Sequence, residues 1–108
     1  MLFRSEPNQA NRECLLQNVS FCDRVEVRSE ALGLEAGQSA MQPGHTNSGE
    51  WHLTDGTGTE VIPLDSLQLP QVDFLKLDLE GFELSALRGA ERTIKASMPI
   101  ILIEENGL

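Results

Sequence analysis

The sequence predicts an α/β fold in which helices join parallel strands, and three observations support this. Residues 72–79, Val-Asp-Phe-Leu-Lys-Leu-Asp-Leu, have the apolar content of a buried strand and lead through Glu80 into Gly81. A helical pattern follows from about 82 to 95, and an apolar run, Ile-Ile-Leu-Ile, comes next at 100–103. Such a run predicts a strand buried on both faces, as in a parallel sheet covered by helices. The order strand, helix, strand predicts a right-handed βαβ unit.

The N-terminal third predicts two strands around a helix. Residues 1–6 are typical of the end of a strand, and Asn8 is a suitable N-cap for a helix from about 9 to 18. Residues 25–28, Val-Glu-Val-Arg, alternate apolar and charged side chains as a half-buried strand does. A turn is expected at 29–34.

Glycine and proline make residues 35–60 the least regular part of the sequence. Short strands at 51–53 and 60–62, separated by a turn at Asp55-Gly56, predict a hairpin. Residues 63–67 are expected to form a single helical turn.

The helix expected at 82–95 has a defined apolar face and a polar face. Glu91 and Lys95 are spaced for a favourable i,i+4 pair on the polar face. Gly89 lies in the middle of the predicted helix, where it costs about 1 kcal/mol relative to alanine, so it indicates close packing against the sheet. The apolar face consists of Ala86, Leu87, Ala90 and Ile94.

Composition predicts one soluble domain over residues 1–108, in the cytoplasm. The net charge is −9, and residues 36–70 contain four acidic residues and no lysine or arginine, which disfavours nucleic acid and anionic membranes as partners. No apolar run approaches 18 residues, and the N-terminus lacks the apolar core of a signal peptide. Cys14 and Cys22 match no metal or redox motif and are expected to be reduced thiols, with Cys14 a small core residue.

Carboxylates concentrate where the strand at 72–79 ends. Asp78 and Glu80 share one face of that strand by the two-residue period. Two carboxylates this close can bind a divalent metal or take a proton from a substrate hydroxyl, and they can equally cap the following helix. Lys76 is expected to pair with a carboxylate such as Asp78 or to reach the sheet edge. Glu104 follows the last strand and can bind substrate or cap the segment after it.

Two histidines and one tryptophan lie in the irregular region. His45 and His52 are each a candidate base, although a loop histidine is more often simply solvated. Trp51 is expected to pack in the core or in a lid.

The chain resembles the FkbM-type methyltransferases. The resemblance is most specific from Val72 to Glu104, in Lys-Leu-Asp-Leu-Glu-Gly-Phe-Glu at 76–83, Leu-Arg-Gly-Ala at 87–90 and Pro-Ile-Ile-Leu-Ile-Glu at 99–104. Weaker similarities, in the family's order, are Glu6-Pro7-Asn8, Leu15-Leu16-Gln17-Asn18, Ala31-Leu32-Gly33, Asn47-Ser48-Gly49 and Leu64-Asp65-Ser66-Leu67.

The resemblance implies a Rossmann-like class I methyltransferase sheet and S-adenosylmethionine as cofactor. It also implies methyl transfer to a hydroxyl group of a sugar or another small molecule. It assigns Asp78 and Glu80 as catalytic residues. The cofactor-binding residues that it implies are Glu6, Ala31, Leu32 and Asp78, with Glu6 accepting hydrogen bonds from the ribose hydroxyls, and no metal is expected.

The family's first strand and glycine-rich cofactor loop should precede Glu6, and further strands should follow Glu104. The sequence is therefore expected to be a partial methyltransferase domain whose strands at 25–28 and 72–79 lack a shared neighbour. Open sheet edges predict instability or self-association. Two alternatives to the enzyme remain: a truncated, non-catalytic remnant or interaction module, and an acidic metal-binding site without methyl transfer.

Overall fold

The structure is a computed structural model, and it describes residues 2–43, 51–79 and 81–104. These residues form seven strands and three α-helices, with one 3-10 turn at Leu64–Leu67. Within the described residues, no helix combines the length and apolar character needed to cross a membrane. The elements in chain order are β1 (Leu2–Ser5), α1 (Gln9–Val19), β2 (Val25–Arg28), β3 (Ala31–Leu32), β4 (Gly37–Pro43), β5 (Trp51–Ile62), β6 (Phe74–Leu77), α2 (Glu83–Arg88), α3 (Glu91–Ser97) and β7 (Ile100–Ile103).

The described strands form three small sheets. β1 pairs in parallel with β2, and β6 pairs in parallel with β7. The third sheet has the order β3-β5-β4, in which β3 is parallel and β4 antiparallel to β5. The predicted α/β class is therefore confirmed, as is the parallel unit β6-helix-β7. β2 and β6 lie in different sheets, as the sequence predicted.

Helix α1 begins as predicted at Asn8, whose Oδ1 accepts a hydrogen bond from the backbone N–H of Asn11 at 2.9 Å. Leu15 and Val19 are half-buried, and no residue of the helix is fully buried. The prediction that Cys14 is a core residue is wrong, because the residue is exposed. Cys14 and Cys22 are both free thiols.

The region predicted to be irregular contains the longest strand of the described chain. Residues 51–62 form the single strand β5, which pairs with β4, a strand that the sequence did not predict. Asp55-Gly56 is not a hairpin turn, because the register shifts there, so that Ser39 pairs with Thr59 and Ala40 with Thr54. Gly56 and Gly58 take φ values of 143° and 108°, which only glycine adopts easily, and this allows the bulge.

Residues 29–34 include a two-residue strand and are not only a turn. Ala31 and Leu32 make up β3 and lie beside Val61 and Ile62 of β5. The N–H of Gly33 donates to the carbonyl oxygen of Ile62 at 3.0 Å, which extends the pairing by one residue.

The helix predicted at 82–95 is divided into α2 and α3 at Gly89. A Cβ atom on Gly89 would lie 2.0 Å from the carbonyl oxygen of Gly33 and 3.1 Å from the Cα of Pro63. The predicted close packing at Gly89 is thus confirmed, although the helix meets the backbone of the residues that directly follow β3 and β5. Glu91 and Lys95 form the expected ion pair, at 2.7 Å.

Asp65 joins the 3-10 turn to the break between α2 and α3. Its N–H donates to the carbonyl oxygen of Gly89 at 3.0 Å. Its carboxylate accepts hydrogen bonds from the N–H of Arg92 at 3.0 Å and from the N–H and hydroxyl of Thr93, both at 2.8 Å. Burial raises the pKa of Asp65, but the bonds from Thr93 and Arg92 outweigh it and hold the pKa below its usual value.

The prediction that β7 is buried on both faces is wrong for the described chain. Phe74 is 56% exposed, and Ile100 and Leu102 are 69% and 50% exposed. The parallel register places these three side chains on one face of the sheet, the apolar sheet face, whereas the buried Leu77 lies on the other. Within the described residues, the apolar sheet face is therefore exposed to solvent.

Candidate functional site

Acidic side chains follow the carboxyl ends of all four strands in the two-stranded sheets β1-β2 and β6-β7. Glu6 follows β1, Asp78 follows β6, and Glu104 follows β7 directly, while Glu30 lies two residues beyond β2. The carboxyl ends of parallel strands are where open α/β sheets bind ligands.

Glu6 is held in a defined turn between β1 and α1. Its side chain is half-buried, and one carboxylate oxygen accepts a hydrogen bond from the N–H of Asn8 at 3.3 Å. Its N–H donates to the carbonyl oxygen of Arg28 at 2.9 Å, which continues the pairing of β1 with β2. Arg12 donates from Nη1 to the carbonyl oxygens of Glu6 at 2.9 Å and of Pro7 at 3.2 Å. The turn therefore fixes the backbone from which the Glu6 carboxylate projects.

A second group of polar side chains lies beside Glu6 at the end of β2. Arg28 forms an ion pair with Glu30 at 2.8 Å and a longer one with Glu26 at 3.8 Å. The hydroxyl of Ser5 donates to the carbonyl oxygen of Glu30, so the ends of β1 and β2 are joined. Burial raises the pKa of Glu30, but backbone hydrogen bonds and the Arg28 guanidinium hold it below its usual value.

This second group was not predicted from the sequence. Its signal was the alternation of charge at Glu26, Arg28 and Glu30, which places three charged side chains on one face of an extended segment. The contact with Ser5 spans 25 positions and has no local signal.

Asp78 and Glu104 lie side by side after two paired strands. Leu77 and Ile103 are register partners, and the N–H of Glu104 donates to the carbonyl oxygen of Leu77 at 3.0 Å. Both carboxylate side chains are exposed. Glu80, the other predicted catalytic residue, lies outside the described residues.

The loop after Asp78 is closed by an acidic side chain of α2. The carboxylate of Glu83 accepts a hydrogen bond from the N–H of Leu79 at 2.7 Å and one from the N–H of Gly81 at 3.1 Å. The N–H of Phe82 donates to the carbonyl oxygen of Leu79 at 3.2 Å. Gly81 has a φ of 101°, a conformation that favours glycine in this turn.

The other predicted site residues have varied positions. Ala31 is 5% exposed and Leu32 is half-buried, both within β3. The bond between Ser5 and Glu30 brings the start of β3 close to Glu6, whereas Asp78 follows a strand of a separate sheet. Lys76 is exposed, and the choice between a pair with a carboxylate and escape to the sheet edge stays a prediction. His45 lies outside the described residues, and Trp51 and His52 belong to β5.

Among residues 2–43, 51–79 and 81–104, no group of three or more histidine, cysteine, aspartate or glutamate side chains is arranged to hold a metal ion. The acidic strand ends can instead accept hydrogen bonds from hydroxyl groups and take up protons. The half-buried Glu6 carboxylate uses one oxygen for Asn8, and a vicinal diol such as that of ribose fits the acceptor capacity of such a group.

Comparisons with known proteins agree with this arrangement. The family model of the methyltransferase FkbM domain matches residues 3–108. The crystal structure of methyltransferase FkbM from Methylobacillus flagellatus KT is similar to the chain, with a TM-score of 0.63 and 25% sequence identity. The match covers 94% of this chain and 24% of that one, so the chain spans about a quarter of the length of the solved protein. No curated protein matches the chain. From the extent of the family match, the chain belongs to the FkbM methyltransferase family.

Proposed function

We propose that the chain contributes to S-adenosylmethionine-dependent methyl transfer onto a hydroxyl group of a sugar or another small metabolite. Two observations together support this most strongly. The family model matches residues 3–108, and carboxylates follow the strands of the parallel pairs β1-β2 and β6-β7. The two parallel pairs are also the arrangement expected within a Rossmann-like methyltransferase sheet.

In this proposal Glu6 binds the ribose of the cofactor. The bond from Asn8 and the two bonds from Arg12 fix the turn, so the carboxylate does not have to be ordered when the ligand binds. Ala31 and Leu32 complete the cofactor side of the site, because the bond between Ser5 and Glu30 keeps the start of β3 beside the end of β1.

Asp78 acts on the acceptor hydroxyl. S-adenosylmethionine, when bound, supplies an electrophilic methyl group. The methyl transfer is an in-line displacement, so the protein has to orient the acceptor oxygen and remove its proton. The Asp78 carboxylate at the end of β6 is the described group that we assign to this proton, and we also assign it to the cofactor side of the site, so that its position affects cofactor affinity. Glu80 keeps its predicted catalytic role.

Calorimetric titration with S-adenosylhomocysteine tests the cofactor site. We expect saturable binding that weakens roughly 10- to 100-fold in Glu6→Ala, because hydrogen bonds to a charged group contribute about 1.5–3 kcal/mol. Glu13→Ala is the matched control, since Glu13 is an exposed acid on α1 that contacts only Gln9 among the described hydrogen bonds. Absence of binding by the folded native chain, or equal binding by Glu6→Ala, would refute the proposed role.

The second candidate function is a non-catalytic interaction module, and the apolar sheet face favours it. Three large apolar side chains exposed together on one face of a small sheet are unusual for a surface in contact with water. This candidate predicts self-association without cofactor binding. Sedimentation velocity over a range of protein concentrations, combined with the titration, separates the two functions.

A further inference from the structure

Glu83 is an acidic residue at the start of α2 whose side chain points back toward the end of β6. Its carboxylate is half-buried and lies within hydrogen-bond distance of two backbone N–H groups, those of Leu79 and Gly81. A single oxygen, Oε2, accepts from both N–H groups, at 2.7 Å from the nitrogen of Leu79 and 3.3 Å from that of Gly81. Leu79 is the residue immediately after Asp78.

These bonds determine the direction of the chain directly beyond Asp78. A backbone N–H bonded to a carboxylate forms one of the stronger hydrogen bonds in proteins. The turn also needs the φ of 101° at Gly81, and the bond from Phe82 to Leu79 closes it. Glu83 satisfies two donors that the strand pairing of β6 with β7 leaves unused, because that pairing ends at Leu77.

We propose that Glu83 is a positioning residue that holds the loop after β6 so that the Asp78 carboxylate faces the methyl-transfer site. This inference rests on the proposed function, and it assigns Glu83 no contact with cofactor or substrate. Neighbouring hydrogen bonds hold a reactive group within the narrow range of positions that binding requires. Glu83 acts as a hydrogen-bond acceptor, so its charge is not essential to the role.

Two substitutions distinguish acceptance of hydrogen bonds from charge. Glu83→Gln keeps one carbonyl oxygen, which can take both N–H groups as Oε2 does, whereas Glu83→Ala removes the acceptor. Glu91→Ala is the matched control, because Glu91 is also the first residue of a short helix but bonds to Lys95 instead of to the backbone of a loop. All variants are compared with the native chain at a temperature at which each is folded.

The measurements are amide hydrogen exchange by NMR and S-adenosylhomocysteine affinity by calorimetry. We expect Glu83→Ala to accelerate exchange at Leu79 and Gly81 and to weaken binding about tenfold, the effect of losing a hydrogen bond to a charged group. We expect Glu83→Gln to retain slow exchange and bind within about threefold of the native chain, since it keeps the acceptor. Glu91→Ala should leave both quantities unchanged.

The outcomes separate this inference from the function on which it rests. Equal affinity of Glu83→Ala and the native chain would overturn the positioning role while leaving cofactor binding intact. Weak binding by Glu83→Gln despite slow exchange would also overturn it, because the charge would then be the required property. Failure of the native chain to bind would refute the proposed function itself, whatever the exchange rates show.

Discussion

Substitution of Gly89 by alanine tests the contact on which the packing of α2 and α3 depends. The new Cβ atom would lie 2.0 Å from the carbonyl oxygen of Gly33, 3.0 Å from its carbonyl carbon and 3.1 Å from the Cα of Pro63. All three are backbone atoms, so no side-chain rotation can relieve the overlap. The helix end and the connection after β3 would have to move apart by more than 1 Å, given an ordinary contact distance of about 3.5 Å.

The expected cost is large for a single methyl group. Overpacking of a tight contact costs about 1–3 kcal/mol, and an unyielding backbone neighbour favours the upper end. Separation would also weaken the bond from Asp65 to the Gly89 carbonyl, which contributes about 1 kcal/mol. The higher helix propensity of alanine offsets at most about 1 kcal/mol of this loss of stability. We expect a net loss of about 3 kcal/mol in the free energy of unfolding.

Urea denaturation followed by circular dichroism measures this loss. Gly37→Ala is the matched control, because no atom lies within 4 Å of its added Cβ and the change should alter stability by less than about 0.5 kcal/mol. Gly33→Ala should be intermediate, since its Cβ meets a side-chain methyl group of Val61 at 2.6 Å. If Gly89→Ala unfolds at the same urea concentration as Gly37→Ala, the inferred close contact is wrong.

Three further predictions concern single side chains. Asp65→Asn should lower the free energy of unfolding and make it depend less on pH in acid, as measured by urea melts at several pH values. The pKa of Asp65 is lowered in the folded state, so its carboxylate stabilises the fold fully above the unfolded pKa of about 3.9. This stabilisation is lost as the pH falls through the folded pKa. A native chain whose acid dependence matches that of the variant would contradict this. Asn8→Ala should lower the free energy of unfolding by about 1 kcal/mol through loss of the N-cap bond to Asn11, whereas Asn8→Asp should retain most of it. Arg12→Ala should weaken S-adenosylhomocysteine binding severalfold in calorimetry, because Glu6 loses the bonds that fix its turn; unchanged affinity would show that the turn holds without them.

Local patterns were sufficient to predict most elements of the two parallel pairs. The N-cap at Asn8, the alternation at 25–28 and the apolar runs around β6 and β7 are each properties of a few neighbouring residues. β4 was missed because its sequence, Gly-Gln-Ser-Ala-Met-Gln-Pro, lacks a strong apolar alternation and is stabilised by pairing with a distant strand. The break at Gly89 likewise depends on a contact with Gly33, which no local pattern contains.

In the candidate site too, features set by neighbouring residues could be predicted more readily than those set by distant contacts. Glu6 and Asp78 could be predicted, because an acid directly after an apolar strand marks the ligand edge of a parallel sheet. The interactions that hold these residues were not predicted in the same detail. Arg12 and Glu83 fix their loops through backbone groups, and backbone donors and acceptors look the same at every position of a sequence. Candidate ligand-binding residues are therefore easier to propose from the sequence than the residues that would position them.

The bonds between Asp65 and α3 also have a consequence for the order in which this region can form. A seven-residue helix such as α3 is too short to be stable alone in water. The N–H groups of Arg92 and Thr93 bond to the carboxylate of Asp65, which lies 27 and 28 positions before them in the sequence. The chain must therefore close that loop before the helix is capped. The 3-10 turn and α3 therefore gain their order together as one cooperative unit, and local unfolding of either segment releases the other.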